Sequence, residues 1–106
     1  MKILAIDFDG VIHKYSKHYH DGTIYDEPMK GAIDALKKLS EQYKVVILTA
    51  REDRKAIRSW LKKYDFDKEI EITNKKIPAQ AYIDDRGIRF TNWKDILNLF
   101  YSSTKK

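Results

Sequence analysis

The sequence predicts one three-layer α/β domain built on a mainly parallel central sheet. Two observations predict it. Short apolar runs alternate with stretches of helical periodicity in the order β, α, β, α, β, β, α. Several of those runs end abruptly on polar clusters: Asp7-Phe8-Asp9-Gly10, Thr49-Ala50-Arg51 and Asp84-Asp85. In open α/β sheets ligands bind beyond the carboxyl ends of the strands, so these clusters mark the candidate site.

The first strand is Ile3-Leu4-Ala5-Ile6, and Gly10 lets the backbone turn sharply after it. Alternate residues of a strand face the same way, so Asp7 and Asp9 start out facing one site; a plain turn signal is the other reading of two acids here. The segment of about residues 12–27 is polar and aromatic and reads as a flap. Asp21-Gly22 is its hairpin turn and Thr23-Ile24-Tyr25 its returning strand. All three histidines lie in it. His18 and His20 have no obvious third partner for a metal, and a loop that is solvated or touches substrate is the expectation.

Pro28 is expected to open the first helix, where its missing N–H costs nothing. Ala32, Ala35, Leu36, Leu39 and Tyr43 form its apolar face. Val45-Val46-Ile47-Leu48 is continuous and β-branched, as in a strand covered on both sides. The second helix begins near Glu52-Asp53, acids suited to a positive helix end, and buries Ile57, Trp60, Leu61 and Tyr64. Its remaining surface carries Arg54, Lys55, Arg58, Lys62 and Lys63, which read first as a solvated face. A short strand over residues 69–73 follows. Ala81-Tyr82-Ile83 is the next buried strand, residues 88–90 add an edge strand, and Asn92 caps a last helix with the stripe Trp93, Ile96, Leu97, Phe100.

The 106 residues suffice for one core, and 42% hydrophobic with 35% charged residues is a globular composition. There is no cysteine, which excludes disulfides and thiolate metal sites. No apolar run would span a membrane and no signal-peptide pattern is present, so a cytoplasmic protein with no membrane partner is expected. The net charge of +5 favours anionic partners.

Asp7, Asp9, Asp84 and Asp85 converge at strand ends in this architecture. Two carboxylates about 4 Å apart repel by about 4 kcal/mol at an effective dielectric of 20, so they must protonate, separate or share a cation. Aspartate oxygens are hard ligands, which makes Mg2+ the natural ion, commonly completed by waters and a substrate phosphate. Thr49 then donates to a phosphoryl oxygen, and Lys75 or Lys76 supplies fixed positive charge. Phosphoryl transfer needs mainly positioning and charge stabilisation, and this set offers both.

Asp7-Phe8-Asp9-Gly10-Val11, Leu48-Thr49-Ala50-Arg51, Lys75-Lys76 and Ile83-Asp84-Asp85-Arg86 resemble, in order, the four motifs of the haloacid dehalogenase superfamily. The resemblance implies a Rossmann-like fold and an aspartyl-phosphate intermediate. It implies Asp7 as nucleophile, Asp9 as general acid/base with its backbone carbonyl on magnesium, and Thr49 with the neighbouring Ala50 and Arg51 as phosphate-binding residues. It further implies Lys76, with Lys75 as second choice, beside the phosphoryl group, and Asp7, Asp9, Asp84 and Asp85 around the metal. The family's dehalogenases lack the second aspartate of the first motif, so Asp9 points to phosphate chemistry. Residues 12–48 and 52–74 leave no room for a cap domain, which resembles the capless class, whose open sites accept large substrates or are closed by a neighbouring subunit.

The expected function is therefore magnesium-dependent hydrolysis of a phosphomonoester, on a sugar phosphate, a nucleotide or a polynucleotide end. Tyr15, Tyr19 and Tyr25 on the flap would suit base stacking, and the positive charge a polyanion. The alternatives are a non-catalytic phosphoryl-accepting switch and a basic nucleic-acid-binding module on the same scaffold.

Overall fold

A computed structural model describes residues 2–17, 23–75, 79, 81–84 and 88–102. Its elements are β1 (Ile3–Asp7), α1 (Ala32–Ser40), β2 (Lys44–Leu48), α2 (Arg54–Lys63), β3 (Glu71–Thr73), β4 (Ala81–Asp84), β5 (Ile88–Arg89) and α3 (Trp93–Ser102). The five strands form one sheet in the order β3-β2-β1-β4-β5. Every pairing in it is parallel. This is the three-layer Rossmann-like class that the alternating runs predict.

The apolar runs become the middle of the sheet because both of their faces are closed to water. Leu4 and Ile6 of β1 lie beside Val45 and Ile47 of β2, and Ile6 lies beside Ile83 of β4. These side chains share one buried cluster with Leu36 and Leu39 of α1, Ile57 and Trp60 of α2, and Trp93 and Ile96 of α3. On the alternate positions of the strands Ala5 and Val46 are buried as well. The α1 and α3 helices touch, with the Tyr43 and Phe100 rings 5.7 Å apart just beyond and within them.

Two helix starts follow from their caps. The Asp53 carboxylate accepts the Ala56 N–H at 3.0 Å at the head of α2. Asn92 accepts the Asp95 N–H at 2.8 Å, and Asp95 in turn accepts from the Asn92 amide at 3.0 Å. The first helix departs from expectation. It starts at Ala32, after Gly31 in a left-handed conformation (φ 81°), and not at Pro28. The Met29 N–H is taken by the carbonyl of Ile12 at 2.7 Å, and His13 bridges to Pro28, so the segment through Pro28 belongs to the base of the flap.

The flap also differs. Residues 23–25 form no strand, while Asp21-Gly22, the expected hairpin turn, lies outside the described residues, as do His18, Tyr19 and His20. Side chains of Arg51 and Trp60 hold the backbone of the limb at Thr23 and Asp26, as the site explains.

Candidate active site

The site grows from the carboxyl end of β1. Asp7 ends the strand, half buried, and its Oδ1 accepts the N–H of Phe8 at 3.0 Å. Next comes a compact turn. The Phe8 carbonyl accepts from Ile12 and His13, each at 2.9 Å, and from Val11 at 3.3 Å, while Gly10 donates to the His13 carbonyl at 2.8 Å. Gly10 has φ 83°, a conformation glycine adopts without strain. The turn folds His13 back over the strand end, where its ring stacks on Phe8 at 5.5 Å.

Neighbouring strands bring the other motifs alongside. Asp7 pairs in register with Leu48, the last residue of β2, so Thr49 is the first residue beyond that strand. Ile6 pairs with Ile83, and Asp7 and Asp84 follow as the last residues of β1 and β4. Thr49 is buried, its backbone N–H donates to the Thr73 carbonyl at 2.9 Å, and its Oγ1 accepts the Arg51 N–H at 3.1 Å. An accepting hydroxyl still has its own hydrogen to donate. A matching turn ends β3, where Thr73 Oγ1 accepts the Lys75 N–H at 3.1 Å and Lys75 is exposed. Ala50 is exposed on the loop after β2. Lys76 and Asp85 lie outside the described residues, and Asp84 is described in its backbone position alone.

Arg51 and His13 converge on Asp9. The Arg51 guanidinium reaches Asp9 through Nε to Oδ2 at 2.9 Å and Nη2 to Oδ1 at 3.0 Å, with a longer Nε contact to Oδ1 at 3.2 Å. His13 Nδ1 lies 2.8 Å from Asp9 Oδ1. Its Nε2 accepts the backbone N–H of Asp26 at 3.1 Å. An accepting Nε2 carries no proton, so the geometry assigns the Nδ1–H tautomer, which donates to Asp9. The sequence leads one to expect Arg51 at the phosphate and His13 in a loop that is solvated or touches substrate. In the structure the Arg51 side chain is 5% exposed and faces Asp9, and His13 is fully buried. The spacing of His13 four residues after Asp9 across Gly10 was the available signal.

Both side chains also tie down the flap. Arg51 Nη1 donates to the Thr23 carbonyl at 3.0 Å. Asp26, whose N–H meets His13, has its own carbonyl held by the Trp60 indole N–H at 3.0 Å. Its carboxylate accepts from the Ser16 hydroxyl and N–H and from the Glu27 N–H. Those hydrogen bonds, the Ser16 hydroxyl first, lower its pKa to about 2. Beneath lies an aromatic layer in which His13 meets Tyr15, Tyr25 and Trp60 at 5.8, 5.3 and 5.6 Å. Partial burial, then the negative charge of Asp9, raises the pKa of the Tyr15 hydroxyl.

For a cation, the described residues offer Asp7 and the backbone of Asp9; the Asp9 carboxylate is engaged by Arg51 and His13. Among the described residues no group of three or more His, Cys, Asp or Glu is arranged to hold a metal. Both of these described donors are hard oxygens. Two grooves, of about 410 and 320 Å³, lie at the opposite, amino-terminal edge of the sheet around Lys68, Glu69 and Ile70, away from these strand ends. Among the described residues no helix is long and apolar enough to cross a membrane.

No protein-family model matches the chain, and no curated protein matches it. Its fold is similar to that of a conserved protein from Bacteroides thetaiotaomicron whose structure is solved, with a TM-score of 0.71 over 99% of this chain and 93% of that one. The two are 24% identical, and the likeness is one of fold.

Proposed function

We propose that the chain is a magnesium-dependent phosphomonoesterase working through Asp7. One observation carries the reading. The strands that end at Asp7 and Asp84, and β2, which Thr49 follows directly, lie side by side with their carboxyl ends together, where parallel sheets bind ligands. The motif resemblance supplies the roles.

In the first half-reaction an Asp7 carboxylate oxygen attacks phosphorus. The Oδ–P bond forms, the bond to the leaving oxygen breaks, and that oxygen takes a proton from Asp9. In the second, water attacks phosphorus, the Oδ–P bond breaks, and the water proton passes to Asp9. The cycle returns Asp7 free and Asp9 protonated, ready for the next substrate. Thr49 holds a phosphoryl oxygen, and Lys76 or Lys75 places positive charge beside it. Asp7, the Asp9 carbonyl, Asp84 and Asp85 would hold Mg2+, which supplies charge neutralisation at the phosphoryl oxygens when bound. The substrate is a sugar phosphate, a nucleotide or a phosphorylated polynucleotide end.

The test is phosphate release with Mg2+ from an aryl phosphate and from a panel of those substrate classes. The Asp7→Asn variant runs alongside. We expect release that falls by roughly 10³-fold or more in the variant while its circular dichroism stays native. Absence of release from every panel member by folded protein overturns the reading.

A further inference from the structure

The Arg51–Asp9–His13 cluster has an asymmetry at the level of single atoms. Asp9 Oδ1 receives Arg51 Nη2, Arg51 Nε and His13 Nδ1, at 3.0, 3.2 and 2.8 Å. Among the described residues Oδ2 receives Arg51 Nε alone, at 2.9 Å. Oδ1 therefore has its lone pairs filled, and Oδ2 keeps one. The Asp9 side chain is 22% exposed, whereas those of Arg51 and His13 are 5% and 0% exposed, so the carboxylate is the wet member of the cluster. A planar guanidinium gripping a carboxylate through two N–H groups fixes its plane as well as its position, which a lysine ammonium does not.

We propose that Arg51 and His13 are positioning residues for Asp9. They fix its carboxylate so that Oδ2 is the proton-transfer oxygen, and they set that orientation against the flap through Thr23 and Asp26. The assignment rests on the phosphomonoesterase reading and gives Arg51 a different task from phosphate binding. The flap contribution is physical. The same guanidinium that grips Asp9 donates to the Thr23 carbonyl, and the same imidazole accepts from the Asp26 N–H. Neither flap contact can shift without moving a group that orients Asp9. A proton-transfer group that is misoriented loses rate without losing substrate, because the substrate's own contacts are elsewhere.

The experiment compares wild type with Arg51→Lys, Arg51→Gln and His13→Gln. It measures kcat and KM on an aryl phosphate with saturating Mg2+, and the protonation of each imidazole nitrogen by long-range 1H–15N correlation. His13→Gln assigns the His13 signals. We expect Arg51→Lys to lower kcat at least tenfold with KM within about threefold, and Arg51→Gln to lower it further. A KM that rises while kcat holds makes Arg51 a substrate-binding group and overturns the proposal, as does no change in either constant.

The imidazole signals do not depend on turnover. They are expected to report Nδ1 protonated and Nε2 bare in wild type. An Nε2–H tautomer overturns the His13 assignment even in active enzyme. If wild type releases no phosphate while its imidazole has the Nδ1–H form, the phosphomonoesterase reading fails and the hold on Asp9 stands. An Arg51 variant that fails to fold leaves His13→Gln to decide the kinetic question, by the same split between kcat and KM.

Discussion

The backbone N–H of Asp26 donates to Nε2 of His13 across 3.1 Å, so a residue of the flap and a fully buried ring at the strand end share one hydrogen bond. Asp26 can offer that N–H because its carboxylate is anchored in turn by Ser16 and Glu27. The flap base and the candidate site are consequently one hydrogen-bonded unit.

Acid should loosen that unit late. The folded Asp26 pKa, about 2, lies below the ordinary 3.8. The carboxylate therefore contributes stability that is present above the ordinary value and is lost as pH falls from there through about 2. The amide shifts of Ser16 and Glu27 should titrate with a midpoint near 2, and Ser16→Ala should raise it. A wild-type midpoint at the ordinary carboxylate value would remove the anchor.

The turn after Asp9 depends on Gly10. A Cβ at that position would meet no heavy atom within 4 Å, so crowding is not the obstacle. The obstacle is φ 83°. Gly10→Ala should destabilise the fold by about 1–2 kcal/mol, measured by urea denaturation, and Gly10→Asn by less.

Trp93 links the last helix to this same turn. Its indole N–H donates to the Val11 carbonyl at 3.0 Å, and the side chain is buried. Trp93→Phe keeps a large ring but removes the donor, which should cost about 1–3 kcal/mol in chemical denaturation. A loss below about 0.5 kcal/mol would mean that the carbonyl finds another donor.

At the head of α2, Asp53→Ala removes the acceptor for the Ala56 N–H. The expected loss is about 1 kcal/mol, and Asp53→Asn should recover most of it. Thermal melts of the three proteins read this directly.

What was legible in the sequence was what depends on near neighbours. Val45 to Leu48 read as a covered strand because the run is apolar without alternation, Glu52-Asp53 reads as a helix start because acids suit a positive helix end, and Asn92 because a cap acts within three residues. Pro28 misled because the fate of its surroundings is decided at a distance: Ile12 takes the Met29 N–H and holds the chain in the flap base. The expected strand at Thr23-Ile24-Tyr25 fails for a related reason, since the Thr23 carbonyl goes to the Arg51 side chain. In the site, Asp7, Thr49 and Asp84 could be seen as strand ends. The partnership of Asp9 with Arg51 could not, because a salt bridge spanning 42 positions leaves no local pattern. His13 was hidden by its polar neighbours Lys14 and Ser16, although the turn at Gly10 folds it inward.

The central place of β1 has a consequence for synthesis. Its partner β2 and the next strand β3 lie on one side, and β4 joins the other edge only after residue 81 is made. Asp9, His13 and Arg51 all precede that point and Asp84 follows it, so the Arg51–Asp9–His13 cluster draws on no residue from β4 onward. Without β4 that edge of β1 would present unpaired backbone groups to any extended peptide nearby. Pairing of β4 both closes that edge and brings the end of the strand that carries Asp84 beside the end of β1, in a single step.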